Sequence, residues 1–158
     1  MKLKFRKANS EDAQLYFNWA NDKTVRENSF NRSEINYEQH VNWFTNKLSS
    51  SDCFFYLFLD EQNTPVGQVR IDITGEEAVI GISIDEHYRG KDLGVEMLTQ
   101  ACNDYFKIFP NAVIIAYIKE ENTASIKLFT KANFIKIAHL KVGDTNSLKF
   151  QKTKDERN

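Results

Sequence analysis

The segment that most constrains this chain runs from Ala78 to Lys119. It opens with AVIGISID, passes through the short basic loop HYRGKD into a helix predicted from about Leu93 to Lys107, and closes with AVIIAYIK. Leu98, Ala101, Cys102 and Tyr105 share one side of that helix, and Pro110 marks its end. AVIIAYIK is almost continuously apolar, as expected of a strand covered on both faces. A strand that returns across a helical crossover runs parallel to the one it left, so the segment is a β-α-β unit. The parallel join inside a sheet is a place where a ligand can enter.

The remaining elements build outward from this unit. Leu3 and Phe5 alternate with Lys2, Lys4 and Arg6 in a half-buried strand pattern. Ser10, followed by Glu11 and Asp12, reads as the cap and acidic first turn of a helix reaching about Ala20. A second helix is predicted from Asn36, whose side chain can cap while Gln39 reaches back. Tyr37, Val41, Phe44 and Leu48 form its expected buried stripe, with His40, Trp43 and Lys47 alongside. CFFYLFLD and VGQVRID, parted by the turn-like EQNTP, read as an antiparallel pair that leads through Gly75 into AVIGISID. Downstream, a short helix is predicted over Thr123 to Lys131, after which NFIKIAH and NSLKFQK pair around KVGDTN. The order β-α-α-β-β-β-α-β-α-β-β predicts an α+β fold, a mixed and mostly antiparallel sheet with helices on both faces and its parallel join between strands four and five. The length of 158 residues suits one domain, expected over 1–151, with a charged frayed tail over 152–158.

Composition narrows the function. Lys and Arg total 21 against 22 Asp and Glu, a formal net charge of -1, so no bulk positive field exists to hold nucleic acid or an anionic membrane. No apolar run approaches the roughly 20 residues of a membrane span, and MKLKFRKANSED lacks a secretion signal's apolar stretch, so a cytoplasmic protein is expected. Cys53 and Cys102 have neither CxxC spacing nor a neighbouring His, and read as buried free thiols; no metal site is expected. Any phosphate must be held locally.

ISIDEHYRGKDLG, residues 82–94, can do that. A helix start presents unpaired N–H groups and the positive end of its dipole, Gly90 and Gly94 permit close backbone approach, and Arg89 and Lys91 add charge. The chain has no GxxxxGK[ST], and this loop lacks GxGxxG, which excludes two other phosphate-binding patterns.

The same stretch resembles motif A of the GNAT superfamily of acetyl-CoA-dependent N-acetyltransferases, [Q/R]-x-x-G-x-[G/A], with Arg89 and Gly94 at its ends. Asp92 stands where the family usually has Gly. ENTASIKLFTKANF resembles motif B, with Asn122, Ser125, Phe129 and Phe134 in register. The resemblance implies that strands four and five splay apart and that the pantetheine arm of acetyl-CoA lies between them, pairing with strand four. Ile82, Ser83 and Ile84 would meet the arm, with Gly81 allowing close approach. Residues Arg89, Gly90, Lys91, Asp92, Leu93 and Gly94 would meet the pyrophosphate. Asn122, Ser125 and Phe129 would meet the arm from motif B. It also implies direct attack of a neutral amine on the thioester, with a strand-four N–H polarising the carbonyl and no metal or redox cofactor. Phe129 occupies the place of the Tyr that many members use to protonate the thiolate, which leaves solvent or the amine's own proton for that step. His40 is the candidate base, His87 a candidate loop anchor, and His139 carries no signal.

Trp19, Asn21, Val25, Arg26, Ser29 and Phe30, followed by Ile35, His40, Trp43 and Phe44, resemble the GNAT enzymes that acetylate an amino group on a nucleotide-linked deoxysugar in surface-sugar pathways such as nonulosonic acid synthesis. The resemblance implies a small amine partner, a nucleotide sugar whose diphosphate Arg26 or Arg70 could meet and whose flat faces Trp43 could cover; His40 would line the same mouth. Acetylation of a protein amine such as a ribosomal-protein N-terminus, a CoA-binding regulatory module without turnover, and a homodimer all remain open at this point.

Overall fold

The computed structural model describes residues 1–154. Its strands are β1 (Lys4–Lys7), β2 (Cys53–Leu59), β3 (Pro65–Thr74), β4 (Glu77–Ile84), β5 (Val113–Lys119), β6 (Ile135–Val142) and β7 (Thr145–Thr153). They form one seven-stranded sheet in the order β1-β2-β3-β4-β5-β7-β6. All neighbours are antiparallel except β4 and β5, which are parallel as the crossover requires. Lys152 and Thr153, expected in the tail, are strand residues instead: they pair with Ile114 and Val113, and Lys152 Nζ donates to the Ala132 carbonyl at 2.9 Å. The rest of that tail, 155–158, lies outside the described residues.

Helices α1 (Ala13–Ala20), α2 (Lys23–Asn28), α3 (Tyr37–Ser49), α4 (Gly94–Ile108) and α5 (Thr123–Lys131) complete the chain. Strand alternation divides the core between the two faces. Tyr56, Phe58, Val69 and Ile71 point to the α4 side and pack with Met97, Leu98, Ala101 and Cys102. Phe55 and Leu57 point the other way and pack with Tyr16, Trp19 and Phe44 of α1 and α3.

Three local expectations differ from what the structure shows. The first helix is capped from Asn9, not Ser10: Asn9 Oδ1 accepts from the Glu11 amide, and Asp12 Oδ2 accepts from the Asn9 amide, around a single 3-10 turn over 10–12. Asp12 is held there by Arg6, which donates to both its carboxylate oxygens at 2.8 and 2.9 Å. Helix α2 was not anticipated because KTVREN has one apolar residue and hence no periodicity to detect. It is held by Asp22, whose Oδ1 accepts from the Val25 amide. In α3 the Asn36 cap is present, but Tyr37 is 45% exposed while His40 is 4% exposed. The buried line is His40 and Phe44, one turn apart, with the His40 ring against Phe17 and Phe44.

Leu98 is fully buried beneath the sheet on α4. Leu98→Ala is expected to cost about 3 kcal/mol of unfolding free energy, from lost transfer energy and the residual cavity, measurable as a lower urea midpoint.

Candidate functional site

The parallel ladder between β4 and β5 lasts for two partners, Ala78 with Ile114 and Val79 with Ile115, and then stops. β3 follows β4 all the way to Ile84, and β7 follows β5 all the way to Lys119, so the gap opens only on their facing edges. Backbone groups of Gly81 to Ile84 on that side have no strand partner. Buried backbone donors and acceptors need partners, so this edge is suited to an extended ligand that adds itself as a strand. The gap is part of a cavity of about 610 Å³, bounded by Ile82, Ser83 and Ile84 on one wall and by Asn122, Ser125 and Phe129 on the other.

At one end of the cavity, α4 starts beneath a tightly built loop. Leu93 is its N-cap and supplies no side-chain bond, leaving the first-turn amides open to an anion. Gly90 (φ 76°) and Asp92 (φ 57°) both occupy the left-handed region. That backbone explains the usual glycine at the Asp92 position: it is a conformational requirement that aspartate tolerates better than most residues. Asp92 and Lys91 are exposed. Gly94 has a different reason, since a Cβ there would meet Leu128 Cδ1 at 2.7 Å where α4 closes on α5.

Arg89 does not hold its charge out to a ligand. Its Nε donates to the Ile84 carbonyl at 3.0 Å, and its NH2 donates to Asp22 Oδ1 at 2.6 Å. Burial acts to raise the Asp22 carboxyl, but the Arg89 bond and the Val25 amide outweigh it and hold that group below the usual range. Asp85 makes a second tie between this loop and the end of α1, accepting from the Trp19 indole N–H at 2.9 Å through Oδ2. Its Oδ1 accepts from the His87 amide and faces His87 Nδ1 at 2.8 Å, so His87 sits where an anchor of this loop would sit.

The other end of the cavity lies under α1 and α3. Gln68, Arg70 and Asp72 of β3 project to this side. Trp43, 36% exposed, carries the Arg70 guanidinium 5.1 Å from its ring centroid. Among the described residues Arg70 has no hydrogen-bond partner, so its fork is open to the cavity. Arg26 also lines the cavity but, contrary to expectation, its guanidinium serves its own loop. It donates to the carbonyls of Ala20 (2.6 Å), Asn31 (2.9 Å) and Ser33 (3.2 Å) and to Ser29 Oγ (3.1 Å). Asn21 and Ile35 exchange a reciprocal pair of bonds at 2.8 Å. The W-x-N and V-R-x-x-S-F residues therefore build the wall of the cavity.

Burial pushes the His40 imidazole below its ordinary pKa, opposed by the Ala13 carbonyl beside it, so the ring is neutral near pH 7. Lys119 is 2% exposed; its Nζ donates to the Glu27 carbonyl at 3.1 Å, at the C-terminal turn of α2 where a cation is favoured. Tyr117 on β5 turns its hydroxyl to Glu77, which also pairs with Lys149, so that proton is engaged away from α5. Phe129 is buried edge-on against Phe134. Among the described residues the cavity wall carries Arg26, Arg70, Arg89 and Lys119 but no aspartate or glutamate, and no cluster is arranged to hold a metal ion.

Sequence reasoning missed Tyr16, Gln68 and Lys119 as cavity residues. Period-two alternation with Arg70 was a usable signal for Gln68. Tyr16 has none, because its ring packs as core, and Lys119 merely ends an apolar strand.

His40 carries a pH prediction. Its folded pKa lies below the 6.5 of a free imidazole, so as pH falls through 6.5 the unfolded chain takes the proton first. The native state should lose stability over that window, and the loss should level off below the folded pKa. Thermal melts from pH 7.5 to 5 should show a smaller decline for His40→Gln than for the parent; equal declines would count against it.

A family model described as acetyltransferase (GNAT) domain matches residues 2–135. Among solved structures, spermidine N-acetyltransferase from Vibrio cholerae in complex with CoA and spermine superposes with a TM-score of 0.85 at 16% identity, covering 95% of this chain and 94% of that one. An aminoglycoside acetyltransferase in complex with coenzyme A gives a TM-score of 0.82 at 15% identity, covering 96% of this chain and 95% of that one. No curated protein matches the chain by sequence. The splayed parallel pair, the uncapped helix beyond it and the match over residues 2–135 agree: the chain belongs to the GNAT acetyltransferase domain family.

Proposed function

We propose that this protein transfers the acetyl group of acetyl-CoA to the primary amine of a small acceptor that also carries negative charge, with a nucleotide-linked amino-deoxysugar as the best-fitting class. The observation that carries the choice of acceptor is the cavity wall, where among the described residues Arg26, Arg70 and Lys119 have no carboxylate partner, Arg89 alone is paired with one (Asp22), and no carboxylate lines the wall. The solved relatives are named for spermidine and aminoglycoside acetylation, and such polycations would meet like charge here. Two unit charges of one sign about 5 Å apart repel by about 3 kcal/mol at an effective dielectric constant near 20. A sugar diphosphate meets Arg70 instead, and a base or sugar face can lie on the exposed Trp43 ring. The same wall disfavours the peptide-amine alternative, which acidic residues would have supported.

On the donor side, the pyrophosphate sits against the backbone of residues 89–94 and the first turn of α4. Arg89 shapes that loop through Asp22 and Ile84. The pantetheine arm runs along Ile82, Ser83 and Ile84, with Asn122, Ser125 and Phe129 on its other side. The amine nitrogen attacks the thioester carbon, the carbonyl oxygen is stabilised by a β4 amide, and the C–S bond breaks as the C–N bond forms. His40 is neutral and takes the proton that nitrogen releases. Phe129 has no proton to give, so the thiolate is protonated by water.

Free thiol release, measured across a panel of a nucleotide-linked amino sugar, spermidine and an N-terminal peptide, tests this reading. The amino sugar is expected to be consumed fastest; preference for spermidine or peptide would contradict it. Arg70→Ala should raise the acceptor KM by about 10-fold or more, the scale of one charge-assisted hydrogen bond, and leave the acetyl-CoA KM unmoved. Equal losses for both substrates would argue against an acceptor role for Arg70.

A further inference from the structure

We propose that Tyr16, His40 and Gln68 together form the seat of the acceptor's amino group, with Tyr16 Oη and Gln68 Oε1 holding the nitrogen at His40 Nε2. This rests on the acetyl-transfer reading above and adds two residues to it. Among the described residues, four buried side-chain atoms have no hydrogen-bond partner: Asp72 Oδ1, whose carboxylate is already paired to Lys47 through Oδ2, and Tyr16 Oη, His40 Nε2 and Gln68 Oε1, whose residues all line the one cavity. A buried polar atom without a partner destabilises a fold, and native proteins keep few of them. Three from different elements, α1, α3 and β3, converging on one cavity are therefore better explained by a ligand than by packing.

Their surroundings show that each is held in place. The Tyr16 ring is 5% exposed and packs on Phe44, Phe55 and Trp19, at centroid distances of 4.8, 5.5 and 5.7 Å. The His40 ring lies parallel to Phe44 with its centroid 6.0 Å away. Gln68 is fixed by its own Nε2, which donates to Ser83 Oγ at 2.9 Å. That bond ties the carboxamide to β4, the strand along which the acyl donor is proposed to lie.

The polarity of the three atoms selects the ligand. A neutral imidazole whose other nitrogen lies toward the Ala13 carbonyl presents a lone pair at Nε2, Gln68 Oε1 only accepts, and a phenol does either. Two acceptors and a hydroxyl match a group rich in N–H donors, as a primary amine is. None of the three is charged, so the seat favours the neutral amine, the form that attacks. In the transfer, the nitrogen forms its bond to the acetyl carbon, one of its protons passes to His40 Nε2, and sulfur leaves with the C–S electron pair and takes a proton from water. Tyr16 and Gln68 position the nitrogen and exchange no proton in the net reaction.

Tyr16→Phe removes the hydroxyl and keeps the ring, which separates binding from packing. The seat predicts a melting temperature unchanged or raised without ligand, because the lost hydroxyl had no partner. It also predicts at least a 10-fold fall in kcat/KM for whichever amine of the panel the parent protein consumes fastest, with the acetyl-CoA KM within about twofold. Gln68→Leu should reproduce the kinetic fall. A lower melting temperature with unchanged kinetics for Tyr16→Phe would make the hydroxyl structural and overturn the proposal, as would unchanged kinetics in both variants. If the parent consumes no amine at all, the acetyl-transfer reading fails by itself. The seat is then decided by the melts alone: an unchanged or raised temperature for Tyr16→Phe upholds an atom kept for a ligand, and a lowered one overturns it.

Discussion

The early end of the hydrogen-bond ladder between β4 and β5 governs the rest of this molecule. After Val79 and Ile115 the strands separate, although each stays fully paired to its outer neighbour. The sheet is thereby rigid on both sides of a gap that it does not itself close. Unpaired backbone within a sheet is normally an instability. Here it coincides with the cavity, with the uncapped start of α4, and with Asn122 at the start of α5. The β-α-β crossover brings the open edge of β4 and the start of α4 together, because the strand, the loop and the helix start belong to one connected segment.

The two ends of the cavity are mechanically joined. Trp19 to Asp85 and Asp22 to Arg89 are the contacts that fasten the α1–α2 corner to the loop before α4. Arg26 then fastens the chain after α2 to the end of α1. The wall proposed to face the acceptor is consequently built on the loop proposed to face the donor's phosphates. Side chains that look free to bind phosphate, Arg26 and Arg89, are the fasteners, and the open guanidinium is Arg70 on the rigid strand β3.

Much of this architecture was legible in the sequence because it rests on backbone periodicity. Strands β2 to β5 and helices α4 and α5 announce themselves through alternation, an apolar stripe or a continuous apolar run. α2 was invisible because a six-residue polar helix held by one cap and an arginine web has no hydrophobic signature. At the site, the loop before α4 was legible because its left-handed turn needs Gly90 and its close approach to Leu128 needs Gly94, and both glycines stand out in the sequence. The role of Arg26 was not, since a sequence shows that an arginine is present and never which acceptors its five donors will find. Nor were Tyr16 and Gln68, whose significance lies in bonds they lack, a property only the folded chain possesses.

Hydrogen exchange at the inner edge of β4 tests the central claim most directly. Adding acetyl-CoA should slow amide exchange over residues 81–84, as an extended arm takes up backbone groups the sheet leaves unpaired. Protection should also appear in the first turn of α4. Exchange over 81–84 that is unchanged under saturating acetyl-CoA would contradict the claim that the gap between β4 and β5 is the donor site.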